Sequence, residues 1–254
     1  GQFRRAGFLR PGRGHAAVAG WRCRGGIGNA MARQRRELID TVQRMNALGI
    51  NQGTSGNASL RAGDGFLITP SGIAYEDLDP PDIVEMRMDG SFVAEAPGRK
   101  PSSEWRFHLD VLKMRPDLGA LVHTHGRAVA SLACLRRDIP AFHYMVALAG
   151  GRTIRCAGYA TFGTQELSDL VVQALQGRRA CLMANHGQLA GGRDLRQALS
   201  LAMEVETLAD MYWRCLQAGK PVILEAAEMD RVLAKFNKGY GSGRAFSDSP
   251  SGTA

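Results

Sequence analysis

Cysteine is scarce in this sequence and poorly placed for crosslinking. Cys23, Cys134, Cys156, Cys181 and Cys215 are odd in number and widely spaced, with no C-x-x-C pair. That pattern excludes a disulfide framework and a cysteine zinc site, and a reducing cytoplasm is the expected compartment. No apolar run approaches the roughly 18 residues of a membrane helix, so no membrane role is expected. P-loop and dinucleotide-binding fingerprints are missing, and there is no internal repeat. One stretch has no acid at all: residues 1–30 carry Arg4, Arg5, Arg10, Arg13, Arg22 and Arg24 without a single Asp or Glu. Without those arginines the formal net charge of +8 falls to +2. The basic character therefore belongs to a tail and not to the body of the protein. The tail lacks the aromatic interleave or helical face of a nucleic-acid binder, and no nucleic-acid partner is expected.

What is present is ordinary for one large globular domain: 254 residues, 44% hydrophobic and 22% charged, enough chain to bury a substantial core. Residues 1–30 read as a disordered Arg/Gly-rich extension, with Met31 as a candidate natural start. Residues 31–240 read as a single domain, and 241–254 as a flexible Gly/Ser-rich tail. Apolar periodicity predicts helices over 33–48, 103–114, 164–175, 195–218 and 226–236. Hairpins are expected around Gly63-Asp64-Gly65 and Asp89-Gly90. Further strands are expected at 120–125, 153–156, 180–183 and 188–190. Helices intermixed with tight hairpins favour an α/β protein with an antiparallel or mixed sheet over a pure βαβ repeat.

Three of the six histidines stand where a metal site would put them. His123 and His125 form an H-x-H pair at the end of an apolar strand, and residues i and i+2 of a strand share a face. His186 follows a second apolar strand and precedes Gly187. Three imidazoles leave a coordination position open, which is the catalytic arrangement. The alternative is that these are ordinary core or surface histidines. His108 and His143 are weaker candidates, and His15 lies in the tail. Glu104 follows Pro101-Ser102-Ser103 at a helix start. It reads either as a dipole-complementing residue beside a serine cap or as a carboxylate able to move a proton near a metal. Gly53 to Asn57, Thr69 to Gly72, and Ser102-Ser103 combine small residues, hydroxyls and backbone N–H groups suited to an oxyanion. Each alone also reads as an ordinary turn.

Taken together, these segments resemble the class II aldolase/adducin family, and within it the L-fuculose-1-phosphate aldolases most closely. The matching runs are Asn51 to Asn57, Leu67 to Ile73, Pro101 to His108, Val122 to His125, Pro140 to Met145, Tyr159 to Thr164, and Asn185-His186-Gly187. The resemblance implies a three-layer αβα fold with a mainly antiparallel central sheet. It also implies a homotetramer with active sites between neighbouring subunits. One Zn2+ per subunit would be held by His123, His125 and His186, with Glu104 as catalytic carboxylate and additional ligand. Thr54, Asn57, Ser71, Gly72, Ser102 and Ser103 match the phosphate pocket. Tyr144 matches a catalytic tyrosine lent by the adjacent subunit, and Tyr240 a mobile C-terminal one. The implied reaction is reversible cleavage of a phosphorylated sugar, a ketose 1-phosphate such as L-fuculose 1-phosphate, to dihydroxyacetone phosphate and a short aldehyde.

Other readings share the scaffold. L-Ribulose-5-phosphate 4-epimerases usually carry Asp where this chain has Glu104. Aldolases for 5-deoxyribulose or 5-methylthioribulose 1-phosphate differ only in the far end of the substrate, and methionine-salvage dehydratases belong to the same family. The non-enzymatic adducin head predicts broken metal ligands, whereas all three histidines and the carboxylate are present here.

Overall fold

Alternation along the strands decides the architecture. In β1 (Asn57–Ala62) the side chains of Ala58, Leu60 and Ala62 enter one apolar cluster. In β2 (Gly65–Ile68) Leu67 joins that cluster while Phe66 and Ile68 enter a second one. The same split recurs in β5 (Ala120–Thr124), with Ala120 and Val122 on one side and Leu121 on the other. In β7 (Ala180–Met183) Leu182 opposes Cys181 and Met183, and in β8 (Gly187–Gly192) Ala190 opposes Leu189. Successive strand residues point to opposite faces, so a sheet apolar on both faces needs a layer on each.

The structure is a computed structural model, and it describes residues 25–238. One eight-stranded sheet runs β4-β3-β2-β1-β5-β8-β7-β6, with β3 (Val84–Arg87), β4 (Phe92–Val93) and β6 (Cys156–Ala157) completing it. Every pairing is antiparallel except β6 with β7. On one face lie α2 (Trp105–Met114) and α4 (Gln165–Ala174), contributing Phe107, Leu112, Leu167 and Val171. On the other lie α1 (Gly25–Ala47), α3 (Arg127–Cys134), α5 (Leu195–Ala218) and α6 (Ala226–Asn237), contributing Val42, Leu132, Ala202 and Met229. This is the three-layer αβα fold with a mainly antiparallel sheet.

Both expected hairpins form, as β1–β2 and β3–β4. The helix predicted from Arg33 begins earlier, at Gly25, so residues 25–30 of the segment read as disordered belong to α1. The strand predicted at 153–156 is displaced to Cys156–Ala157, because Ile154 instead bridges Ile139. Periodicity did not disclose α3 at all. Its cap comes from far along the chain: the Glu206 carboxylate on α5 accepts hydrogen bonds from the Ala128 and Val129 N–H groups at 2.8 and 3.0 Å. Gly126 makes room for it, since a Cβ there would come within 2.2 Å of a Glu206 oxygen. Among the described residues no helix is long and apolar enough to cross a membrane, and Cys134, Cys156, Cys181 and Cys215 are free thiols.

Candidate active site

Four ligating side chains meet where the end of β5, the β7–β8 turn and the start of α2 converge. His123 shares a strand face with Leu121, so its ring enters the layer of α2 and α4 and stands edge-on to Phe107 at 5.5 Å. His125 lies just past the strand, its backbone N–H donating to Asn51 Oδ1 at 3.2 Å. Its Nε2 is 2.8 Å from His123 Nε2, as the i, i+2 spacing requires. His186 comes from the turn between Met183 and Gly187. There Asn185 takes the left-handed region at φ 54°, which Asn tolerates better than most residues. Gly187 is needed for close approach: a Cβ there would meet the Thr124 carbonyl oxygen at 2.4 Å and the His125 ring at 3.1 Å.

Glu104 is the N-cap residue of α2, yet its side chain does not cap the helix. The cap-like contact comes from Ser102, whose Oγ accepts from the Glu104 N–H at 3.3 Å. The carboxylate turns inward instead. Its Oε2 lies 3.1 Å from His123 Nε2 and accepts from Asn57 Nδ2 at 3.0 Å, and its Oε1 lies 3.1 Å from His186 Nε2. All four ligand atoms fall within 4.8 Å of one another.

This donor set fits a divalent metal. His123 Nδ1 donates to the Gln188 carbonyl at 2.8 Å, which leaves the Nε2 lone pair facing His125 and Glu104. Glu104 Oε1 is buried and makes no hydrogen bond. Lone pairs and a carboxylate converging without a donor between them are what a cation satisfies, and the carbonyl behind His123 is the usual outer partner of a metal-bound imidazole. Burial by itself pushes the Glu104 carboxyl up, but the imidazoles of His123 and His186 outweigh it and hold the group well below the usual carboxylate range. Burial, with His123 and His186 adding to it, pulls His125 down to about 3, so that ring is neutral and ligand-ready near pH 7.

The oxyanion segments are partly assembled. Pro70 bridges Pro101, the Ser71 N–H donates to the Lys100 carbonyl at 3.1 Å, and the Ser102 N–H donates to the Thr69 carbonyl at 3.0 Å. Ser71 and Gly72 thus stand beside Ser102 and Ser103, immediately before Glu104. Asn57 is buried against that carboxylate, and Thr54 is exposed in the turn leading into β1. The structure does not bring Tyr144 into the cluster. It opens the 3₁₀ helix Tyr144–Ala149, 43% exposed, its ring against His143 and Phe236. Tyr240 lies outside the described residues. His143 Nδ1 accepts from the Met145 N–H, so that ring caps a helix and is not a ligand. Two residues to which the sequence assigned no role support the site. Asn51 anchors the His125 backbone. Gln188, fully buried in β8, donates to Thr124 Oγ1 at 3.0 Å and the Ala202 carbonyl at 2.9 Å while its own carbonyl orients His123.

Comparison with known proteins agrees with this geometry. Residues 36–213 match the Class II Aldolase and Adducin N-terminal domain. The chain is 58% identical over 207 residues to a 5-methylthioribulose-1-phosphate/5-deoxyribulose-1-phosphate aldolase of Rhodospirillum rubrum, covering 82% of this chain and 92% of that protein. It is 50% identical over 207 residues to the L-fuculose phosphate aldolase of Escherichia coli K12, covering 81% and 94%. A solved L-fuculose 1-phosphate aldolase matches with a TM-score of 0.78 at 40% identity, covering 81% of this chain and 97% of that one. The chain belongs to the class II aldolase and adducin family, among its aldolases.

Proposed function

We propose that the protein is a zinc-dependent aldolase that reversibly cleaves a ketose 1-phosphate to dihydroxyacetone phosphate and a short aldehyde. The observation that carries this reading is the buried Glu104 carboxylate set against His123, His125 and His186, with Oε1 free of hydrogen bonds. A divalent ion bound there supplies Lewis-acid polarisation of neighbouring carbonyl and hydroxyl oxygens. His123, His125 and His186 hold it, one Zn2+ per subunit. In condensation Glu104 removes a proton from C3 of dihydroxyacetone phosphate, and in cleavage it returns that proton to the electron pair left when the C3–C4 bond breaks. Thr54, Asn57, Ser71, Gly72, Ser102 and Ser103 bind the phosphate and so fix the reacting carbons. Tyr144, whose exposed ring suits a residue lent to a neighbouring subunit, moves the proton on the C4 oxygen in a homotetramer. Tyr240, outside the described residues, is a further catalytic candidate by the family resemblance, and the enzyme works in the cytoplasm.

For the aldehyde, the 58% identity to the Rhodospirillum rubrum enzyme favours 5-methylthioribulose or 5-deoxyribulose 1-phosphate, with L-fuculose 1-phosphate second. The test is release of dihydroxyacetone phosphate from a panel of these sugars, L-rhamnulose 1-phosphate and ribulose 1-phosphate, with and without chelator. Chelator-sensitive release is expected, strongest from a 5-substituted ribulose 1-phosphate. No release, with epimerisation of L-ribulose 5-phosphate instead, would move the protein to the epimerases of this fold.

A further inference from the structure

From Glu104 and Asn57 a chain of buried hydrogen bonds runs back to His108 and Ser59, two residues that the proposed reaction does not use. Ser59 Oγ is 2.7 Å from His108 Nδ1, His108 Nε2 is 2.6 Å from Asn57 Oδ1, and Asn57 Nδ2 is 3.0 Å from Glu104 Oε2. Two periodicities make this zigzag. Asn57 and Ser59 lie two apart on β1 and share a face, while Glu104 and His108 lie four apart on α2 and share a face. Both steps span about 6–7 Å, so helix and strand side chains interleave.

The polarity of the chain is set from its far end. A carboxylate only accepts, so the Asn57 amide must turn its Nδ2 to Glu104 and its Oδ1 to His108. His108 Nε2 must then carry a hydrogen, and Nδ1 accepts a hydrogen bond from the Ser59 hydroxyl. Burial, with nearby His123 adding to it, pulls His108 down to about 3, so the ring stays neutral. Ser59 and His108 have no exposed surface and Asn57 only 3%, so no solvent stands in for a missing partner. Phe107, stacked on His108 at 4.8 Å, limits the ring's movement.

We propose that His108 is a positioning residue: it orients the Asn57 amide so that this amide holds Glu104 Oε2 and leaves Oε1 to the metal and the reacting carbon. The role rests on the reading of Glu104 given above. A merely structural His108 would fill the same space, so the test must separate the two.

Zinc retention, by competition with a chromogenic chelator, and kcat are measured for His108→Leu, His108→Gln, Asn57→Ala and the His108→Leu/Asn57→Ala double variant, with thermal melts for each. His108→Leu should retain zinc about tenfold less tightly and lose about tenfold in kcat, the usual effect of removing an outer partner. His108→Gln, whose amide can donate to Asn57 Oδ1, should recover most of both. In the Asn57→Ala background His108→Leu should cost nothing further. Wild-type retention and kcat in a folded His108→Leu protein, or losses fully additive with Asn57→Ala, would overturn the proposal. Should Leu at 108 not fold, Ser59→Ala replaces it in the same cycle, and unchanged retention and kcat there would overturn it equally. The zinc arm needs no substrate. A wild-type protein that cleaves no ketose phosphate, with the retention cycle still coupled, would sink the aldolase reading and leave the positioning role standing.

Discussion

Glu104 carries the most demanding assignment of any single residue. It opens a helix, as many acids do to complement the dipole, but its carboxylate abandons that role for His123 and His186. Glu104→Gln keeps the shape and removes the base. We expect turnover to fall about 10²–10⁴-fold with the fold intact, and proton exchange at C3 of dihydroxyacetone phosphate to fall with it. Exchange at the wild-type rate would refute the assignment. His123→Ala removes the proposed ligand whose orientation is best defined, so metal analysis of the purified variant should show less zinc than the wild type. Stability should also report the buried imidazoles. In the metal-free protein His108 and His125 are both held near 3 against an ordinary value of 6.5. The unfolded chain therefore binds more protons as pH falls below about 6.5. Urea midpoints of metal-free protein should drop across that range, and less steeply in His108→Gln. Much of the site was legible here: H-x-H at a strand end and the third histidine before a glycine needed only the strand period. The orienting roles of Asn51 and Gln188 were not, because nothing beside either residue shows that it meets a histidine 74 or 65 positions away.

Among the elements, α3 shows how far a local reading reaches. Helix α5 was expected at 195–218 and is found there, capped locally by the Asp194 side chain accepting from the Gln197 N–H at 2.7 Å. The N-terminus of α3 has Gly126 at its cap position and no side-chain cap of its own. Glu206, about halfway along α5, supplies it. Glu206→Ala strips two N–H groups of a charged acceptor, a loss of about 1–2 kcal/mol. The urea midpoint should fall accordingly. An unchanged midpoint would mean that water caps the helix as well as the carboxylate does. Since His125 leads directly into α3, the same variant should also weaken zinc retention while leaving the four ligands in place.

In the whole molecule the active site is a meeting of three distant segments, and by the proposed function a fourth comes from another subunit. Sedimentation should give four copies of the 27.4 kDa chain. Glu104→Gln and Tyr144→Phe should each be nearly inactive alone. Dissociated, mixed equally and reassembled, they should recover about a quarter of the sites, those pairing an intact Glu104 with a neighbour's intact Tyr144. No recovery would place Tyr144 in its own subunit's site or outside the chemistry. Metal removal tests the same assembly: zinc bound only to the folded form should raise Tm with concentration, and a chelator should reverse it. By itself the sequence determined the apolar strands, the long amphipathic helices, both hairpins and which histidines could share one metal site. Each of these is written in periodicity or in side-chain chemistry over a few neighbouring residues. Only the tertiary structure decided that Glu104 faces histidines and not its own helix, that Glu206 caps α3, and that His108 stands behind Asn57. Those pairings join residues 19 to 82 positions apart, and no local pattern encodes which distant partner a polar group will meet once the sheet and its two layers have closed.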